Sequence, residues 1–187
     1  MKPFLQVEPG LALYLTHPRF AEALFQVVDA QREHLRRWLP WVDATRSPED
    51  SRRFLYEAAR FNKGGRRLTT LIVQNGYIIG SLGIVQYDGG NRWAELGYWI
   101  AAEKQGRGLM TRCCQTFIAY LFGQQDLNRL QMRIASENLP SKAVARKLGF
   151  QLEGTLRQAL FLHNRFFDLE IYGLLRTEWK TPDAEPL

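Results

Sequence analysis

The amino-acid sequence predicts an α+β protein built on one mixed, mostly antiparallel twisted sheet of about six or seven strands flanked by helices. Three observations predict it. The apolar repeat changes from helical spacing to strand alternation after Gly65. Two turn signals, Asn75-Gly76 and Asp88 to Asn91, then join three strand-like runs into a meander. A helix, a strand, a short helix and a hairpin follow, an order that suits a single sheet with helices against it.

Each element has its own reason. Leu11 to Leu15 reads as a short strand, and Pro18 to Asp29 as a helix with Phe20, Leu24 and Val27 or Val28 on one face. In HLRRWLPWVDA a helix should end before Pro40, because proline disfavours helical backbone at the residue before it. Ser47 is an N-cap, with Pro48 in the first helical position and Asp50 three residues after the cap. That helix runs to about Asn62 and ends at Gly64-Gly65. RLTTLIVQ, YIIGSLGIVQY and RWAELGYWIA are the meander strands.

Gly108 to about Gly123 is the strongest helix, with Met110, Cys114, Phe117 and Leu121 forming its buried stripe. RLQMRIAS is a strand. Pro140 opens a short helix that ends at Leu148, with Gly149 as its left-handed cap. TLRQALFL and RFFDLEIYGLL form a hairpin about His163-Asn164. Residues 1–180 are expected to form a single domain, and 181–187 a disordered tail.

Composition narrows the function classes. The chain has 187 residues, 45% hydrophobic and 24% charged, as ordinary globular proteins do. No run of eighteen apolar residues suggests a membrane span, and the N-terminus has no secretory pattern, so a cytoplasmic location is expected. Cys113 and Cys114 are adjacent in a helix, where a disulfide between them is implausible. Neither cysteine nor histidine has metal-ligand spacing, so no metal is expected. The net charge of +6 suits anionic partners, and eight arginines from Arg36 to Arg67 make the first third arginine-heavy.

The informative junction is AEKQGRGLMT, where the third meander strand gives way to the long helix. The first amides of a helix have no helical partners, and the helix dipole adds positive potential beside them. Gly106 and Gly108 let such amides approach a ligand closely, while Arg107 and Lys104 add mobile charge. The result is an anion cradle suited to a pyrophosphate. A glycine-rich cap that binds nothing is the other reading of this pattern. No Walker loop or dinucleotide motif is present.

The order of elements, GYWIAAEKQGRGLM and SENLPSKAVARKLGFQLEG together resemble the GNAT acetyltransferases, and within them the branch that acetylates serine or alanine N-termini of ribosomal proteins. The likeness covers about residues 8 to 178. It implies the GNAT fold and acetyl-CoA as cofactor, with its pyrophosphate on the backbone of Gln105, Gly106, Arg107, Gly108, Leu109 and Met110. It further implies that the cofactor's amide arm pairs with a splayed strand at Trp99 and Ile100. Asn138 then contacts the cofactor and Ser141 lies near its sulfur; either residue also suits a helix cap. The family's loop would carry Gln or Arg at 103, where this chain has Glu103, expected to face solvent. It would carry a glutamate at 160, where this chain has Leu160.

Acetyl transfer to an amine needs a neutral nucleophile, a polarised carbonyl and a proton for the leaving sulfur. Ser141 is the candidate proton donor, and a backbone amide near Trp99 or Ile100 the carbonyl donor. Glu95 shares a strand face with Gly97 and Trp99 and can take a proton through water; a structural acid on the sheet is its other reading. Arg37, Trp38 and Trp41 are candidates for the acceptor mouth. His34 and His163 have no partner legible in sequence. An α-amine titrates near 8 and lysine near 10.4, so a weak base suits the former. Direct attack in a ternary complex onto a protein N-terminus, for instance a ribosomal protein's, is therefore expected. A homodimer is possible, and neither membrane nor nucleic acid is expected as a partner. A polyamine, antibiotic or amino acid acetylator, and a non-catalytic RNA- or ribosome-binding module, remain the alternatives.

Overall fold

A computed structural model of the chain describes residues 2–64 and 67–180. Met1, Gly65, Arg66 and residues 181–187 lie outside the described residues. Eight strands form one sheet: β1 (Leu5–Glu8), β2 (Leu11–Leu15), β3 (Thr69–Gln74), β4 (Tyr77–Asp88), β5 (Trp93–Ile100), β6 (Arg129–Ala135), β7 (Gln151–Leu162) and β8 (Arg165–Leu175). Their spatial order is β1-β2-β3-β4-β5-β6-β8-β7. The helices are α1 (Ala21–Ala30), α2 (Arg32–Leu35), α3 (Pro48–Lys63), α4 (Leu109–Gln124) and α5 (Leu139–Lys147).

The mixed sheet matches the expected class, with one strand more than the six or seven expected. The addition is β1, a four-residue strand that pairs antiparallel with β2 across a turn in which Gly10 takes a φ of 79°. Its apolar alternation, Leu5 and Val7, is too brief to read beside Pro3 and Pro9. The helix expected over Pro18 to Asp29 divides into a 3-10 turn at Pro18–Phe20 and α1. β7 starts at Gln151, four residues before the expected strand, as soon as Gly149 has turned the chain at a φ of 85°.

The sheet separates two cores. One lies against α4 and α5 and includes Leu82, Leu96, Met110, Cys113, Cys114, Phe117 and Leu121. The other lies against α1 and α3 and includes Leu24, Val28, Leu55, Leu71 and Ile78. Cys113 and Cys114 are both buried and free, as their place on α4 requires.

All neighbouring strands run antiparallel except β5 and β6, which pair in parallel at three positions: Trp93 with Arg129, Ala94 with Leu130, and Glu95 with Gln131. Beyond Glu95, β5 continues to Ile100 and β6 to Ala135 with no further pairing between them. A V-shaped gap opens there, and α4 begins just past the end of β5.

α3 is anchored by a capping box. Ser47 Oγ accepts from the Asp50 N–H at 3.3 Å, and Asp50 Oδ2 accepts from the Ser47 N–H at 3.0 Å. Asp50 thus fills the place that glutamate or glutamine usually takes. Ser47→Ala should lower stability by about 1 kcal/mol. Urea denaturation should show a lower midpoint with an unchanged slope.

Candidate active site

The gap between β5 and β6 opens into a cleft of about 600 Å³. One wall is Tyr98, Trp99 and Ile100 of β5. The loop and first turn of α4 supply Lys104, Gln105, Gly106, Gly108, Leu109, Met110 and Thr111. The opposite wall is α5 with its preceding turn, including Glu137, Asn138 and Ser141. His34, Arg37 and Trp38 close the rim.

The loop before α4 is shaped by its two glycines. Gly106 and Gly108 take φ values of 72° and 71°, in the left-handed region that favours glycine. Gly108 is the N-cap of α4 and provides no side-chain cap, and the first turn has no acid. The amides at this end therefore face the cleft without a helical partner. A Cβ on Gly108 would sit 2.9 Å from Arg112 Nη1, whereas one on Gly106 would meet nothing within 4 Å. Phosphate oxygens fit such an end, since N–H donors and the dipole both favour negative charge.

β5 adds a second set of donors. The Ala101 N–H donates to Ile79 O at 2.9 Å. Main-chain groups alternate sides along a strand, so the N–H and C=O of Tyr98 and Ile100 point away from β4 into the gap. Ile100 therefore has the expected free edge. Trp99 instead turns its backbone to β4, packs against the α1–α3 core and is still one of the cleft-lining residues. An extended amide-bearing ligand arm can pair with this edge as an added strand.

Tyr98 is the residue that sequence reasoning passed over. Its hydroxyl lies 2.8 Å from Ser141 Oγ. Burial, with the Cys114 thiol close by, pushes Tyr98 well above the ordinary tyrosine range, and the Ser141 hydrogen bond offsets part of this. Tyr98 thus stays protonated at any working pH. Strand alternation was the available signal, because it sets Tyr98 on the face opposite Glu95, towards α4 and α5. Asn138 caps α5, its Oδ1 accepting from the Ser141 N–H at 3.3 Å, so the cap also fixes the serine.

Of the other residues singled out in the sequence, Glu95, Arg107, Trp41 and Leu160 lie outside the cleft lining. Glu95 is 9% exposed at the last paired rung, accepts from Gln131 Nε2 at 3.2 Å, and is not among the cleft-lining residues. Arg107 and Glu103 are exposed outside the lining. Trp41 lies behind the wall, its ring 6.2 Å from that of Trp99. Leu160 pairs with Phe167 across the β7–β8 hairpin. Both histidines have partners: His34 Nε2 is 3.1 Å from Gln105 Nε2, and His163 Nε2 is 2.8 Å from Arg36 O. Gln31 Oε1 accepts from the Ala102 N–H at 3.0 Å, a further tie between the α1–α2 joint and the cradle loop.

Burial pushes the Cys113 thiol up to about 12 and holds Cys114 well above the ordinary thiol range, so neither forms the thiolate that an acetyl-cysteine intermediate needs. Among the described residues no group of His, Cys, Asp and Glu could hold a metal, and no helix is long and apolar enough to cross a membrane.

The family model described as an acetyltransferase (GNAT) domain matches residues 12–151. The chain belongs to the GNAT acetyltransferase family. It is 30% identical over 176 residues to YdaF of Bacillus subtilis (strain 168), provisionally named a ribosomal N-acetyltransferase, covering 94% of this chain and 96% of that one. It is 27% identical to the ribosomal-protein-serine acetyltransferase of Escherichia coli (strain K12), covering 92% and 97% of the two. Among solved structures, RimL, the ribosomal L7/L12 alpha-N-protein acetyltransferase in complex with coenzyme A, superposes with a TM-score of 0.89. It shares 26% identity, with 91% of this chain and 97% of RimL covered. This GNAT chain is thus an N-acetyltransferase, and acetyl-CoA is its cofactor.

Gly108→Val should weaken acetyl-CoA binding by at least about tenfold, since the added side chain strains a left-handed residue and crowds Arg112. Calorimetric titration measures this directly, and the thermal stabilisation by acetyl-CoA should shrink in step.

Proposed function

We propose that this GNAT enzyme acetylates the N-terminal α-amine of a protein, a ribosomal protein foremost, by direct attack in a ternary complex. The observation that carries the reading is the pairing of Ser141 with Tyr98 beside the free edge of β5. A proton source and a backbone donor face the same space. The relatives named above support the choice of acceptor. So does the cleft's charge: among the described residues Glu137 is its one lining carboxylate, where a polyamine would need several.

Bound acetyl-CoA supplies an activated acetyl thioester. Gln105, Gly106, Gly108, Leu109 and Met110 would hold its phosphates, with Lys104 at the same loop and Arg107 outside it. Ile100 and Asn138 would hold the amide arm, with support from Trp99. The Ile100 N–H would supply a donor to the thioester carbonyl. Ser141 holds a proton at the cleft wall for the departing sulfur and regains one from solvent, while Tyr98, which stays protonated, fixes the Ser141 hydroxyl from behind through their hydrogen bond. Glu95, at the base of the V, receives the acceptor's proton through water. Arg37 and Trp38 shape the acceptor mouth, and Trp41 backs it through Trp99. An ordinary thiol titrates near 8.5 and leaves tolerably without help, so the proton donor accelerates the step without being indispensable.

The arginine-heavy first third does not favour the RNA-binding reading. Arg32, Arg36, Arg52 and Arg53 are each paired with an acid on their own or an adjacent element. A cytoplasmic location and a homodimer accompany the proposal.

The test is incubation with acetyl-CoA and peptides starting with Ser, Ala or Met, beside lysine peptides and polyamines, read by mass. Peptide N-termini should be acetylated first. Ser141→Ala and Glu95→Gln should each lower kcat by about a hundredfold, the scale of acid–base catalysis, with Tyr98→Phe intermediate. Full activity in both Ser141→Ala and Glu95→Gln would remove this assignment of roles.

A further inference from the structure

The cleft is lined by the cations Arg37, Lys104 and Lys147, of which Lys104 and Lys147 suit a phosphate-bearing cofactor. Glu137 stands against that pattern. Among the described residues it is the one carboxylate in the lining, on the turn between β6 and α5, next to Asn138 and four residues before Ser141. A lone acid there opposes the cofactor's charge, so its use lies with a cation.

Its present partner is exchangeable. Arg165 Nη2 donates to Glu137 Oε2 at 2.7 Å, with both side chains more than half exposed. Water screens most of the strength of such a pair. Arg165 is also held independently of Glu137, its guanidinium lying 3.9 Å over the Phe167 ring. That ring is edge-on to Trp38 of the cleft rim at 5.8 Å. The hairpin is fixed over the rim by the His163 contact to Arg36 O. Arg165 can thus release the carboxylate without losing its seat.

Neighbouring acids are committed elsewhere. Glu170 accepts from Lys142 Nζ and from the Tyr172 hydroxyl, both at 2.7 Å. Asp168 accepts from the Gln158 N–H at 2.8 Å and anchors a bulge of β7. Leu160, opposite Phe167, contributes no charge.

We propose that Glu137 is the acceptor-recognition carboxylate, which draws in the protonated N-terminal amine by exchanging the Arg165 guanidinium for the substrate's ammonium group. The inference rests on the α-amine reading above and adds a specificity residue to it. Exchange of one cation for another keeps the carboxylate paired throughout. Glu137 selects a positive terminus, and the proton itself leaves later, towards Glu95.

The test pairs two variants that move in opposite directions. Protein saturated with coenzyme A is titrated calorimetrically with a serine-starting peptide and with its analogue lacking the α-amino group. The wild type should prefer the free amine by about tenfold or more. Glu137→Gln should abolish that preference. Arg165→Met, which keeps an apolar stem over Phe167, should increase it. Kinetically, Glu137→Gln should raise KM for the acceptor about tenfold, with a much smaller change in kcat and none in KM for acetyl-CoA. A merely structural ion pair would move both variants the same way. Peptide acetylation with an unchanged preference in Glu137→Gln would overturn the inference alone. A wild type that acetylates lysine or polyamines but no peptide terminus would overturn the α-amine reading, and this inference with it.

Discussion

The structure depends on how few rungs join β5 to β6. Three parallel pairs hold the two halves of the sheet together, and then the strands part. Had the ladder continued to Ile100, the main-chain groups of Tyr98 and Ile100 would be spent on β6. No edge would remain for a ligand arm, and α4 would begin against a closed sheet. The divergence leaves obligatory hydrogen-bonding groups without a protein partner, which is tolerable because a ligand or water satisfies them. The same opening lets α5 approach β5 closely enough for Ser141 to meet Tyr98.

Around that opening, polar ties join the segments of the rim. The α1–α2 joint reaches the cradle loop through Gln31 and His34, and the chain just after α2 reaches the β7–β8 hairpin through Arg36 and His163. A short segment of chain therefore touches both the cofactor end and the acceptor end. Each tie is a single hydrogen bond, worth little alone. Their effect is to define the rim, whereas stability comes from the two apolar layers on either side of the sheet.

Much of this was legible in the sequence, because strong local signals and tertiary structure agree. The Asn75-Gly76 turn, the α4 stripe, the Ser47 cap and the glycine junction all have local causes. β1 was not legible, since four residues with two apolar positions gain their strand from β2 and the core. The cradle glycines, Ser141 and Asn138 could be placed from motifs. Glu95 and Trp41 could not be placed to within a wall's thickness. Alternation gives a side chain's face, but where β6 stops pairing decides whether that face meets the cleft. Glu137 and the partners of His34 and His163 depend on contacts between distant segments. His163 and Arg36, for example, are separated by 127 positions, a juxtaposition no local pattern encodes.

The two cysteines have a consequence for the enzyme's working life. Every turnover releases a small free thiol inside the site, and in oxidising conditions such a thiol can cap an accessible cysteine as a mixed disulfide. The chain has two cysteines, both sealed in the α4 core with thiols held firmly in the protonated form, and neither lines the cleft. By-product in its oxidised form thus meets no accessible thiolate that could attack its disulfide, so this route to a mixed disulfide is closed.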